Sequence, residues 1–392
     1  MVLPNPRAIA AFMFLRQIAA AWLVLLATVQ PSIAADTSVE QVTRLIRLAE
    51  KNVDDPRGWA TDILDVLQLQ RFDRSKENAC AVIAIVDQES GFVADPAVPG
   101  LGRISEQALR AKLDSIPVAG RVVLNWLESR PTPDTSFLSR VRNARTERDL
   151  DLVYRAMVAY AGEKSGLDIV LRSGVLNRII EERNEVATVG SMQVSVKFAL
   201  EMARKRRWLP MMLDDVYAVR DELYTRHGGL YFGTAQLLGY DSGYDRKVYR
   251  FADYNAGRYA SRNAAFQSVV ARLADEKLAL DGDLLSYNKK GEALPGSTAT
   301  ERAVLKAVKR HGLGLSERQV REDLLLEKEK GFVSTRTFLA LREAFQRVAK
   351  AKPAFAMIPD IRLSSPKITR VMTTKIFAET VTKRYQACMA AK

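Results

Sequence analysis

A mainly α-helical fold follows from three observations. Apolar residues recur at three- and four-residue spacing in segment after segment, few stretches alternate as strands do, and the breaks carry capping residues, glycine or proline. The chain has 392 residues, enough for one large domain or two ordinary ones with a sizeable core. Its apolar content is 47%, that of a globular protein, and neither a low-complexity segment nor an internal repeat interrupts it.

The N-terminus reads as a signal peptide over residues 1–35. Arg7 and Arg16 precede the apolar run Ile18 to Val29, and Ser32-Ile33-Ala34 offers a small-residue cleavage site. An uncleaved anchor is the alternative, but the run is short for a membrane span and polar residues follow at once. The expected location is the periplasm, with peripheral or no membrane association after cleavage. Loss of the two arginines of residues 1–35 leaves +11 of the net +13. That balance favours acidic partners such as envelope polymers or anionic head groups. Export and the absence of a recognition motif argue against nucleic acid. Cys80 and Cys388 are the only cysteines, and in an oxidising compartment a pair suggests one disulfide; two buried thiols are the alternative. These and the scattered His227 and His311 show no ligand spacing, so no metal or cofactor is expected.

The helices follow in order. Thr37/Ser38 can cap a helix to Lys51, and Asp55-Pro56 starts a second through Leu69. Together these form an N-terminal segment, 36–76. Ser75 opens the third, ending at Glu89. Residues 105–113 and 118–127 flank Pro117, Pro131-Thr132-Pro133 is a break, and Thr146 opens a helix ending at Gly162. Residues 163–190 read as loop plus one short helix. Ser195 caps the next helix, Asp214 starts another to Arg226, and Gly228-Gly229 precedes one more. Residues 244–254 form a helix stopped at Asn255-Ala256-Gly257, and 258–280 is again helical. Asp281 to Ser297 reads as a linker or long surface loop. Helices near 300–310, 316–329 and 334–350 follow, then a strap with Pro353, Pro359 and Pro366, and a last helix from about Ile368 to Cys388.

The third helix carries the first candidate for chemistry. Val82, Ile85 and Val86 lie seven, four and three positions before Glu89, so Glu89 leaves the apolar face. A carboxyl aimed from a buried helix end loses hydration, which raises its pKa towards the range of a general acid. By itself this is also what an ordinary polar helix end looks like. Two further motifs follow: Gly190-Ser191-Met192-Gln193-Val194 ahead of a capped helix, and Tyr254-Asn255-Ala256-Gly257 at the end of another. Gln193 and Asn255 can both donate to and accept from sugar hydroxyls, Gly190 and Gly257 permit close backbone approach, and Tyr254 can orient the Glu89 carboxyl.

In this order, Glu89-Ser90, Gly190 to Val194 and Ala252 to Gly257 resemble the goose-type lysozyme and lytic transglycosylase fold. The resemblance implies a lysozyme-like helical core over 77–280 that cleaves the N-acetylmuramic acid–N-acetylglucosamine bond with a single acid/base, Glu89. Ser90, Met192, Gln193, Tyr254 and Asn255 would surround the substrate, which would be peptidoglycan or another envelope glycan. Two departures stand out: an extra Asp253, and about 100 residues between Glu89 and Gly190, which imply a helical insertion at about 93–189. Residues 281–392 would be a helical C-terminal extension.

Over nearly the whole chain, the stretches DQESGFVADPAVPGL, MQVSVKFA, GGLYFGT, YRFADYNAGRYASRNAAFQ, LALDGDLLSY and SPKITR resemble the YaiW-type envelope lipoproteins, a family defined by a domain of unknown function. That resemblance implies a Cys80–Cys388 disulfide. The family's lipobox cysteine has no counterpart, because no Cys precedes Cys80. A catalytically inactive protein binding glycan or an envelope protein partner is therefore the alternative function.

Other features read as structural. Asp253 is a second-carboxylate candidate, with a helix-surface charge the simpler account. Asp87, two positions from Glu89, points elsewhere. Ser364-Ser365-Pro366-Lys367 matches S-x-x-K only as text, since Pro366 spoils the geometry. The basic run Arg204 to Arg207 reads as solvated charge at a helix end, with contact to anionic glycan or lipid as the sharper reading. Tyr231, Tyr259 and Trp208 can stack on sugars, though such aromatics more often belong to a core.

Overall fold

The computed structural model describes residues 36–116, 118–165, 184, 186–288, 291–363 and 372–391. The expected signal segment and the Ser364–Lys367 match lie outside them, as does most of 163–190. Helices dominate the described residues, with two antiparallel hairpins of two-residue strands.

Helices α1 (Val39–Ala49) and α2 (Pro56–Leu69) begin where local chemistry marks them: Ser38 forms a capping box with Gln41, and Asp55 accepts from the Gly58 amide ahead of Pro56. Helix α3 (Lys76–Glu89), capped by Ser75, is buried at every residue from Ala79 to Asp87. Its alanines at 79, 81 and 84 are small enough for neighbours to close on several faces at once.

The stretch expected as a helical insertion builds α4 (Leu101–Asp114), α5 (Ala119–Ser129), α6 (Phe137–Asn143) and α7 (Glu147–Ser165). It has a small core of its own, in which Leu127, Phe137, Leu138, Val141 and Val153 are buried and Trp126 stacks on Phe137 at 5.1 Å. Strands β1 (Thr188–Val189) and β2 (Val194–Ser195) pair in register Thr188 to Ser195. Then come α8 (Val196–Lys205), α9 (Leu213–Leu223), α10 (Arg226–Leu238), α11 (Lys247–Ala256) and α12 (Ala260–Ala274). Gly228 and Gly229 fall inside α10 rather than ahead of it. A Cβ on Gly228 would meet the Glu222 carbonyl at 2.1 Å, so the glycine lets α9 and α10 join tightly.

After α12 the stretch expected as a linker instead packs. Leu284 and Leu285 are buried, and Gln267 of α12 donates to Asp281 and to the Asp283 carbonyl while accepting from the Gly282 amide. Helices α13 (Ala299–Arg310), α14 (Glu317–Leu324) and α15 (Arg336–Ala349), with a 3-10 turn at Lys330–Ser334, complete a second core with α12. The proline strap then crosses α12, Met357 donating to Ser261 and Asp360 to Leu280 through backbone bonds. Strands β3 (Arg362–Leu363) and β4 (Met372–Thr373) pair, so the last helix, α16 (Thr374–Ala390), starts later than Ile368.

Helix α16 does not extend the second core. Phe377, Ala378, Val381 and Cys388 are buried in the first, with α1–α3 and α8–α11. Cys80 and Cys388 form a disulfide, with Cα atoms 5.6 Å apart. Arg384 pairs with Asp87 and donates to Gln88 at 3.2 Å, and Lys76 reaches the Met389 carbonyl at 3.0 Å. The bridge spans 308 residues of sequence, and a loop of that length constrains the unfolded chain strongly. Cys388→Ser, or reduction, is expected to lower the unfolding free energy by roughly 2–5 kcal/mol. Denaturant titration with and without reductant checks this, and an unchanged midpoint contradicts it.

Candidate active site

Glu89 is the last residue of α3. Beyond it Gly91 and Phe92 both take positive φ, 59° and 65°, and turn the chain sharply, while Phe92 packs edge-on against Trp59 at 5.4 Å. The chain then runs against the residues preceding α7: Ala97 bridges Thr146, and the Val98 amide donates to Arg145 at 2.9 Å. Glu147, the first residue of α7 and only 3% exposed, is thereby carried to the Glu89 side.

One turn along α7, buried Asp151 locks the insertion to the rest of the molecule. It pairs with Arg155 at 2.5 Å and with buried Arg220 of α9 at 3.2 Å, and accepts from Asn184 at 2.8 Å. Removing one partner of such a buried network leaves an uncompensated charge, which costs roughly 3–5 kcal/mol.

The β1–β2 turn supplies the opposite side. Gly190 has φ +79°, and a Cβ there would lie 2.2 Å from the Leu223 carbonyl, so only glycine fits this approach to α9. Gln193, also at positive φ (48°), donates to Glu147 at 3.0 Å and accepts from the Thr188 hydroxyl at 3.1 Å. The Tyr254 hydroxyl donates to the Met192 carbonyl at 2.7 Å. Gln236 accepts from the Ser195 amide at 3.3 Å and donates to the Tyr254 carbonyl at 3.2 Å, stitching the turn to α11. The second and third sequence motifs are thus joined at one place.

Glu89 keeps partial solvent access while protein crowds its carboxyl. Burial, reinforced by repulsion from Glu147, pushes its pKa up to about 8. Burial also raises the Tyr254 phenol well above its ordinary value, with the charge of Glu89 adding to it. Glu89 thus interacts electrostatically with both Glu147 and Tyr254.

Other expected residues have internal partners. The Ser90 hydroxyl donates to the Val86 carbonyl at 3.1 Å and accepts from the Val93 amide at 3.3 Å, finishing α3. The Met192 side chain is buried against Gly233. Asn255 accepts from Thr374 of α16 at 2.9 Å. The Tyr254 hydroxyl donates its hydrogen bond to the Met192 carbonyl. Asp253 is neither a surface charge nor the second carboxylate: it is 2% exposed and accepts from the hydroxyls of Tyr240 (3.0 Å) and Tyr244 (2.7 Å) and the amides of Tyr259 (2.8 Å) and Ser261 (2.7 Å). Glu147 stands beside Glu89 instead. Its sequence signal is only an acid in a first helical turn, which helix-dipole electrostatics makes commonplace. Among the described residues no group of three or more His, Cys, Asp or Glu is arranged to hold a metal ion.

A carboxyl raised from the ordinary 4.5 to about 8 binds its proton more tightly in the folded state. Its stabilising effect is therefore complete below the unfolded pKa and lost as pH climbs through the folded one. Glu89→Gln should gain stability relative to the native chain as pH rises from about 4.5 to about 8, by up to ~1.4 kcal/mol per pH unit. Urea midpoints across that range check this; a pH-independent difference contradicts it.

The family described as "Protein of unknown function (DUF1615)" matches residues 52–391. The chain is 35% identical over 366 residues to "Uncharacterized protein YaiW" of Escherichia coli (strain K12), covering 92% of each. No solved structure matches it.

Proposed function

The chain belongs to the DUF1615 family, and from that premise we propose that it is an exported cell-envelope protein that cleaves peptidoglycan glycan strands, using a lysozyme-like core and Glu89 as acid/base. The observation that carries this reading is a single carboxyl, raised to about 8 by burial and by the charge of Glu147, a residue that Gln193 of the second motif holds; the carboxyl also acts on Tyr254 of the third motif. Near neutral pH Glu89 holds its proton and can give it to the glycosidic oxygen between N-acetylmuramic acid and N-acetylglucosamine. The resulting carboxylate then takes the proton of the sugar hydroxyl that closes an anhydro ring. Glu147, held by Gln193, is placed to stabilise positive charge developing at the sugar. Burial, reinforced by repulsion from Glu147, keeps Glu89 protonated before the bond breaks.

A second reading is a glycan- or partner-binding envelope protein without turnover. It is favoured by the internal hydrogen bonds of Ser90, Gln193 and Asn255, the polar groups that would otherwise grip sugar.

Digestion of purified sacculi with the chain from residue 36 onward separates the two. The native protein is expected to release muropeptides with anhydro ends, and Glu89→Gln to lose at least ~100-fold of that release. Equal release by both overturns the assignment; sacculus binding that survives Glu89→Gln, without turnover by the native chain, supports the second reading. Glu147→Gln should move the alkaline limb of the pH–rate profile part of the way to lower pH, because the repulsion that adds to burial in raising Glu89 is removed while the burial remains.

A further inference from the structure

Between α8 and α9 the chain presents Arg204-Lys205-Arg206-Arg207-Trp208-Leu209-Pro210, every residue of it exposed. Trp208 is 92% accessible and Leu209 54%, and Met212 just beyond is also exposed. A tryptophan so accessible contributes almost nothing to folding, and Leu209 and Met212 add further apolar surface beside it. The loop is nonetheless anchored. Met211 is buried in the first core, Arg207 pairs with Asp215 at 3.1 Å, and the Arg206 guanidinium lies over the Tyr231 ring at 4.9 Å. Arg204 and Lys205, in the last turn of α8, extend into solvent.

We propose that this loop docks the protein peripherally on an anionic lipid surface, Trp208 and Leu209 entering the interface while Arg204 and Lys205 meet the head-group phosphates. The inference is independent of the role of Glu89. A bilayer interface takes an indole at head-group level and an aliphatic side chain beneath it, with basic residues alongside. A glycan chain fits less well. Leu209 and Met212 offer it no polar contact, and sugar stacking needs an aromatic face steadied by neighbours, which Trp208 lacks at this exposure. No helix among the described residues is long and apolar enough to cross a membrane, so attachment through this loop is interfacial. The net charge of +11 that remains from residue 36 onward, +13 less Arg7 and Arg16, steers the chain towards the same kind of surface.

The test uses the chain from residue 36 onward, which contains all three cores and lacks the apolar N-terminal run. It is sedimented with vesicles of pure phosphatidylcholine, vesicles enriched in phosphatidylglycerol, and isolated sacculi. Native protein is expected to bind the phosphatidylglycerol vesicles with a blue shift of tryptophan fluorescence. Trp208→Ser/Leu209→Ser should lose both the binding and the shift, at an unchanged denaturation midpoint. Arg204→Ala and Lys205→Ala should each weaken binding about fivefold. Failure to bind anionic vesicles, or equal binding by the Trp208→Ser/Leu209→Ser variant, overturns the proposal. Binding to sacculi alone, lost in that variant, also overturns it and assigns the loop to glycan.

Discussion

Enclosure of α3 is the constraint on which the rest of the structure depends. A helix buried from Ala79 to Asp87 needs partners on several faces, and they come from both ends of the chain: α1 and α2 before it, α16 at the far terminus. The disulfide, the Asp87–Arg384 pair and Lys76 together clamp α16 along the helix. Because α16 also receives Asn255 through Thr374, the clamp that encloses α3 fixes α11 as well. The position of Tyr254 relative to Glu89 is in this way set by residues more than a hundred positions distant in sequence.

Two other buried acids, Asp253 and Asp151, have structural roles. Asp253 gathers two tyrosine hydroxyls and two backbone amides at the joint between α11 and α12, fixing how the first core meets the second. Burial raises its pKa and these hydrogen bonds oppose the rise. Asp151 does the equivalent for the insertion, through two arginines and Asn184. Both acids have several strong donors, as a buried carboxylate requires. Glu89 differs: burial and the like charge of Glu147 both raise it.

What the sequence made legible was local. Ser38, Asp55, Ser75 and Ser195 each cap the helix they introduce, because an N-cap depends only on a side chain and the amides just after it. The cysteine pair was readable because two cysteines allow only one intramolecular bridge. Helix α6 leaves no sequence signal, because seven residues after a proline break show too little periodicity. Asp253 read as a surface charge because Tyr240 and Tyr244, which bury it, come from the preceding loop rather than its own helix. Leu284 and Leu285 sit in a polar, glycine-containing stretch that reads as linker, and only Gln267 and the second core show why it packs. Glu147 was the costliest omission: its closeness to Glu89 arises from the return of the chain at Ala97 and Thr146, a pairing too short to leave a pattern.

The long spacing between the first two motifs takes on a physical meaning from that return. An insertion that merely covered Glu89 would need only apolar contact with it. This one is tied down by a buried ion-pair network one turn beyond Glu147, and Gln193 of the second motif donates to that same carboxyl. A like charge held next to a desolvated acid destabilises the folded state whenever the acid ionises, and a purely structural element gains nothing from such an arrangement. The residues separating the first two motifs therefore supply, through Glu147, the like charge that adds to burial in raising Glu89.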